Sequence, residues 1–183
     1  MIKQMYKYSL SLKHHWLNAR PALLYIIGAI ICVFALKYKF GPDDIINYIK
    51  VSTLIFSFFL VPQMIIHLRY YWLNDGYIFY YNPNEQKIRI SIERGEEVEF
   101  TFSDIQLVKH YKGISLAEKK IQFYPWDNYN FSRIYLKNGK QFLITSLLVP
   151  NMELPLESGK IELYKIAYAY PLTKEKPLTE KQQ

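Results

Sequence analysis

A single cysteine, Cys32, leaves no intramolecular disulfide to be made and excludes a cysteine-rich zinc site. The four histidines, His14, His15, His67 and His110, form neither a His-x-x-x-His nor a His-Glu-x-x-His spacing, so any metal site would have to be assembled from distant segments. No glycine-rich cradle precedes a helix, which removes the usual holder for phosphate chemistry. Seven glycines and nine prolines are too few for a fibrous or low-complexity chain, and a half-apolar composition excludes a disordered one. Residues 1–21 contain no acidic side chain. What remains is 183 residues, room for one domain and its accessories.

The mean hydropathy of −0.09 is ordinary for a soluble protein, but it averages two unlike parts. Ala22 to Leu36 is a run of fifteen residues without a charge, and Val51 to Ile66 is a second uncharged run. A membrane-spanning helix needs about 20 mostly apolar residues. Both runs reach that length once the flanking cations Arg20, Lys37 and Lys50 snorkel toward headgroups. Aromatic residues flank the runs where an interfacial belt would lie, among them Trp16 and Trp72. A soluble hairpin would carry a charged stripe at helical spacing; here residues 22–36 have none and 51–66 offer only Ser52, Thr53, Ser57 and Gln63. The pattern predicts an uncleaved transmembrane hairpin over residues 21–68, since no small-x-small cleavage site follows Leu36.

Lysine and arginine set the orientation. Lys3, Lys7, Lys13 and Arg20 precede the first run and Arg69 follows the second, while the connecting loop balances Lys37 and Lys39 against Asp43 and Asp44. Both termini are therefore expected in the cytoplasm. Of the net charge of +7, residues 67–183 contribute only +2. The excess lies beside the membrane, where it reads as a signal for topology and anionic lipid rather than for nucleic acid.

From residue 75 to 170 the period changes to two, the mark of half-buried antiparallel strands. Ile88, Ile90 and Ile92 share one face of 87–93, and Val98, Phe100 and Phe102 one face of 97–103. Further strands are expected at 77–81, 105–110, 131–137 and 140–145, the last two joined by Asn138-Gly139, a strong hairpin signal. Ser158 is placed to cap a final helix over 159–169, with Ile161, Tyr164 and Tyr168 on one face and Pro171 ending it. Residues 171–183 form a tail rich in Pro, Lys and Glu. In the leader, residues 1–20, Tyr6, Tyr8, Leu10 and Leu12 alternate with polar neighbours; this segment is either an edge strand of the later sheet or a basic segment lying on the membrane. The fold class expected is an α+β membrane protein: a two-helix transmembrane hairpin, then a small antiparallel β-barrel with a C-terminal helix.

Three elements resemble a bacterial pleckstrin-homology-like (YcxB-like) membrane protein. They are the hairpin, the strand Asp75-Gly-Tyr-Ile-Phe-Tyr-Tyr81, and the pair Phe100-Thr-Phe-Ser-Asp-Ile105 and Ile134-Tyr-Leu-Lys-Asn-Gly-Lys-Gln-Phe-Leu-Ile-Thr-Ser-Leu147. The resemblance implies a seven-stranded PH-like barrel closed by a helix, used for binding rather than catalysis, on the inner membrane of a bacterium. Some PH domains hold phosphoinositides with bases of the first hairpin. Here Lys87 and Arg89 are surrounded by Glu85, Glu93, Glu96, Glu97 and Glu99, which argues against that ligand.

Residues 114–131 lack a period and gather Phe123, Tyr124, Trp126 and Tyr129 beside Lys119 and Lys120. They are expected either to fold back onto the barrel or to form a rim touching the bilayer or a partner, since Tyr and Trp suit a half-wet interface. No catalytic residue, cofactor or metal is expected. The function expected is a non-enzymatic, membrane-anchored cytoplasmic domain that binds a protein partner or an anionic lipid headgroup. Two alternatives are a membrane-surface enzyme using His110 and Asp127, and an integral subunit of a larger complex packed through Gly28 and Ala29. On the first reading, deletion of residues 1–66 is expected to release a soluble domain.

Overall fold

The computed structural model describes residues 5–92, 95–150 and 152–172. The two apolar runs form the middles of two long helices, α1 (Leu12–Phe40) and α2 (Ile45–Asn74), each about 44 Å long at 1.5 Å per residue. Ser11 starts α1 by accepting a hydrogen bond from His14 N, and Gly41 ends it at φ 93°, donating its N–H to Lys37 O. The helices run antiparallel. Gly28 admits the Phe56 ring so closely that a Cβ would lie 3.0 Å from it, and Ser52 Oγ donates to Ala29 O at 2.8 Å. The small residues Gly28 and Ala29 thus serve contact inside the hairpin.

Both helices are long and apolar enough to cross a membrane, and their middles are uncovered. None of the most apolar eighteen-residue stretch of α1 is buried, and only 17% of that of α2. A helical hairpin at the centre of a soluble core would be covered on most sides; this one is covered only at its base. There the domain-side ends of α1 and α2 bury Asn18, Ile66, Tyr70 and Asn74.

The remaining chain forms two four-stranded sheets. The first has the order β1 (Tyr6–Ser9), β2 (Tyr77–Asn82), β3 (Lys87–Ile92), β4 (Glu96–Thr101), all antiparallel. The leader therefore resolves as an edge strand, with Tyr8 opposite Phe79. A tight turn over Phe102–Asp104, held by Asp104 Oδ2 accepting from Thr101 N at 2.8 Å, redirects the chain into the second sheet. That sheet runs β7 (Gln141–Thr145), β6 (Asn130–Leu136), β5 (Ile105–Gly113), β8 (Ile161–Ile166). A single helical turn, α3 (Ile114–Ala117), follows β5.

Two expectations are corrected. Among the described residues no ladder joins the two sheets, so the barrel is not closed; the sheets pack face to face through Phe79, Ile88, Ile90, Val108, Ile134 and Ile144. The C-terminal helix is also absent. Ser158–Lys160 is a short 3-10 turn, and residues 161–166 are the strand β8, parallel to β5. Ile161 and Ile166 suit a strand, and the β5 edge supplies backbone partners that a helix would leave unused. Tyr164 stacks on Tyr111 at 5.0 Å across this pair. Residues 93–94 and the tail beyond residue 172 lie outside the described residues.

The result is three layers: first sheet, second sheet, helix base. Every residue of β6 is buried, because one face meets the first sheet and the other meets α2. On the helix side Tyr129, Phe131 and Leu147 pack with Ile66, Tyr70 and Ala169.

Candidate functional site

The joint between hairpin and domain is built of polar side chains. Pro21 lacks an N–H, so Leu17 O has no helical donor; Asn128 Nδ2 donates to it instead, at 3.2 Å. Asn18 is buried and exchanges hydrogen bonds with Ser146, whose Oγ donates to Asn18 Oδ1 at 2.7 Å. His14 Nδ1 meets Leu147 O at 3.0 Å. His15 Nδ1 lies 2.9 Å from His67 Nε2, and His67 Nδ1 lies 2.7 Å from the Tyr129 hydroxyl. Asn74 closes the free edge of β7: its Nδ2 donates to Leu143 O at 2.9 Å and its Oδ1 accepts from Thr145 N at 2.8 Å. Tyr70 OH donates to Ala169 O at 2.6 Å. Three of the four histidines thus belong to this joint rather than to a ligand set or a simple membrane flank.

Tyr129 is corrected from a contact residue to a core residue. It is fully buried, edge-on to Tyr70 at 5.3 Å, and burial pushes its phenol far above the usual range, so it stays neutral as a partner for His67. The rest of the 114–131 segment divides. Asp127 is buried and its Oδ2 accepts from Phe123 N and Tyr124 N, shaping the loop. The loop presents Phe123, 71% exposed, and Tyr124 stacked on Trp126 at 5.1 Å. Lys119 stands exposed at φ 54°, and Lys120 pairs with Glu118 at 2.7 Å.

This rim reaches up the helices. Tyr25 OH on α1 donates to Phe123 O at 2.5 Å, and Tyr168 OH donates to Pro62 O on α2 at 2.5 Å. Between rim and α2 lies an apolar groove of about 870 Å³, walled by Phe58, Pro62, Ile65, Trp126, Ala167 and Tyr168. Tyr170, stacked on Tyr168 at 6.1 Å, continues the wall, and the Arg69 guanidinium lies over the Tyr170 ring at 5.9 Å. Trp16, Arg20, Lys37, Lys50 and Trp72 are exposed. Sequence reasoning misses Tyr168, Tyr170 and the α2 side of the groove, because Ile161, Tyr164 and Tyr168 fit a helical spacing and Tyr170 lies beyond the helix it suggests. The alternation Tyr168-Ala-Tyr170, with Ala169 buried between exposed or half-exposed rings, was the available signal.

His110 and Asp127 do not form an acid–base pair in a shared mouth. His110 Nδ1 lies 2.7 Å from Ser132 Oγ, while Asp127 caps backbone N–H groups. Burial, reinforced by Lys112 and opposed by Glu153, lowers the His110 pKa below the ordinary value near 6.5. Unfolding would let this imidazole protonate more readily, so its contribution penalises the folded state as pH falls from about 6.5 through the folded pKa. His110→Gln is expected to flatten that part of the stability-versus-pH curve, read by thermal unfolding between pH 7.5 and 5; an unchanged slope would contradict it. On the first hairpin, Lys87 Nζ bonds Glu99 Oε1 at 2.8 Å and Arg89 lies over Tyr80 at 4.4 Å, so these bases are engaged within the sheet. Among the described residues no cluster of three or more His, Cys, Asp or Glu could hold a metal.

No curated protein and no solved structure matches the chain. A family model described as a PH domain matches residues 5–155, a span that takes in the edge strand, both long helices and β2 to β7. With most of its length inside that match, the chain belongs to the PH domain family.

Proposed function

We propose that the chain is a membrane-anchored, non-enzymatic binding domain: the hairpin crosses the bilayer, both termini lie in the cytoplasm, and the PH domain meets a protein partner or a lipid headgroup at the membrane surface. The observation that carries this reading is the contrast along the hairpin. Its middle exposes Leu24, Ile31, Phe34, Leu54 and Phe58 to the surroundings, whereas its base is joined to the domain by buried amides and half-buried histidines. Apolar surface of that extent needs a bilayer or a partner. The pairing of β1 with β2 supports a common side for both helix ends, since those strands flank the hairpin in sequence. The basic flanks favour the cytoplasm as that side. Fixing the domain at the surface raises its effective concentration toward anything else held there.

The test uses the full chain with Cys32→Ser, carrying either Asp43→Cys or Glu85→Cys. Membranes washed with alkaline carbonate should retain the protein. An impermeant maleimide should label position 43 in intact bacterial cells and position 85 only after lysis. Release by carbonate would overturn the anchor, and labelling of position 85 from outside would overturn the orientation. Mass spectrometry of the detergent-solubilised protein, against a control lacking the tagged chain, should find a specific protein or lipid. Turnover by a purified sample would instead support an enzyme.

A further inference from the structure

We infer that the groove between α2 and the aromatic rim seats one acyl chain of a phospholipid from the near leaflet, with the lipid phosphate at Arg69. This rests on the proposed membrane crossing and adds to it a lipid site and a depth for the domain.

Length is the first argument. The rim is tied to α1 at Tyr25 and to α2 at Pro62. From those ties to the hairpin tip, α1 has fifteen residues to Phe40 and α2 seventeen back to Ile45, about 23 and 26 Å at 1.5 Å per residue. A bilayer hydrocarbon core is about 30 Å thick. The tip carries Lys37, Lys39, Asp43 and Asp44, which require the far headgroups. Holding the tip there draws the rim several ångströms into the near leaflet. Tyr124 and Trp126 are of the residue types that favour that depth.

Chemistry along the groove is the second argument. Phe58, Pro62, Ile65 and Arg69 follow one another at helical spacings of four, three and four, so they share one face of α2. From Phe58 to Arg69 is about 16 Å, the thickness of one hydrocarbon leaflet. The face is apolar for its membrane-ward part and ends, on the domain side, in a guanidinium. Arg69 reaches Pro171 O at 3.5 Å and the Tyr170 ring, and among the described residues no carboxylate pairs with it. A near-leaflet phospholipid has the same order of groups: phosphate toward the cytoplasm, acyl chain toward the midplane. Arginine matches a phosphate well.

The experiment uses the full chain in nanodiscs of phosphatidylglycerol, phosphatidylethanolamine and diacylglycerol. In the variant Trp16→Phe/Trp72→Phe, Trp126 is the one remaining tryptophan. Lipids brominated at mid-chain should quench it, and aqueous acrylamide should not. Native mass spectrometry from mild detergent should show a phospholipid retained by the wild type. Ala167→Phe, which fills the groove, should cut retention about tenfold, the loss expected when about two methylenes are denied burial. Arg69→Gln should remove the preference for phosphatidylglycerol over diacylglycerol while leaving chain uptake. Equal retention by Ala167→Phe and wild type would overturn the site, as would a Trp126 open to acrylamide or a protein found in the groove. Carbonate release of the whole chain would instead reject the membrane crossing itself, so the two failures are separable.

Discussion

Asn74→Leu is expected to destabilise the protein by about 2–6 kcal/mol, because it leaves two buried backbone groups without partners at about 1–3 kcal/mol each. β7 is the outer strand of its sheet, and the Asn74 amide serves there as a one-residue neighbouring strand, bonding Leu143 O and Thr145 N. Leucine fits the volume but supplies neither donor nor acceptor. Asn74→Asp keeps the acceptor for Thr145 N and turns a carboxylate toward Leu143 O, so it should be destabilising as well. Thermal unfolding in detergent gives the magnitude, and hydrogen exchange at the Thr145 amide gives the location. Unchanged protection of that amide would show that the clamp contributes little.

Deletion of residues 1–66 is expected to yield an aggregated domain rather than a soluble one, reversing the expectation drawn from hydropathy. The deletion removes β1 from the first sheet and, with α1 and Ile66, the partners of His67, Leu147 and Ser146. Apolar faces of Leu147 and Tyr129 would then meet water, at about 1.5–3 kcal/mol for each large side chain uncovered. Replacing only exposed hairpin side chains such as Leu24, Ile31, Phe34, Leu54 and Phe58 with Gln, Glu and Lys should give a soluble chain instead, because the base is untouched. Size-exclusion chromatography of the two chains distinguishes the outcomes. A monomeric, folded product of the deletion would show that the base is dispensable.

The contrast explains what could be read from residues alone. Both helices follow from the length of two uncharged apolar runs and six strands of the domain from a period of two, which depend only on neighbours in sequence, whereas the alternation at the leader leaves an edge strand and a membrane-surface segment both open. β8 was misread because Ile161, Tyr164 and Tyr168 satisfy a helical spacing equally well; what decides is the open edge of β5, roughly fifty residues away. The helix boundaries were too narrow for the same reason. Asn18 and Asn74 break the apolar pattern, and only their partners Ser146, Leu143 and Thr145 reveal them as buried. Of the rim, Phe123, Tyr124 and Trp126 stand out by aromatic density, whereas the opposite wall from α2 lies inside an apolar run that reads wholly as a span. Density of aromatics could not distinguish Tyr129, which faces inward to His67.

The ladder between β1 and β2 has a consequence for biosynthesis. β1 leaves the ribosome before its partner β2, which begins at Tyr77, so the strand waits while about 67 residues of hairpin are made, some 3–13 seconds at ordinary elongation rates. During that wait the leader is an unpaired strand. It closes only when residues 77–81 arrive on the side where it was left. If the hairpin crosses the bilayer as proposed, a chain whose second helix failed to return would keep β2 on the opposite side, and the edge would stay open. On the proposed membrane crossing, completion of the first sheet is a readout of correct insertion, available to any quality-control machinery that recognises an exposed strand.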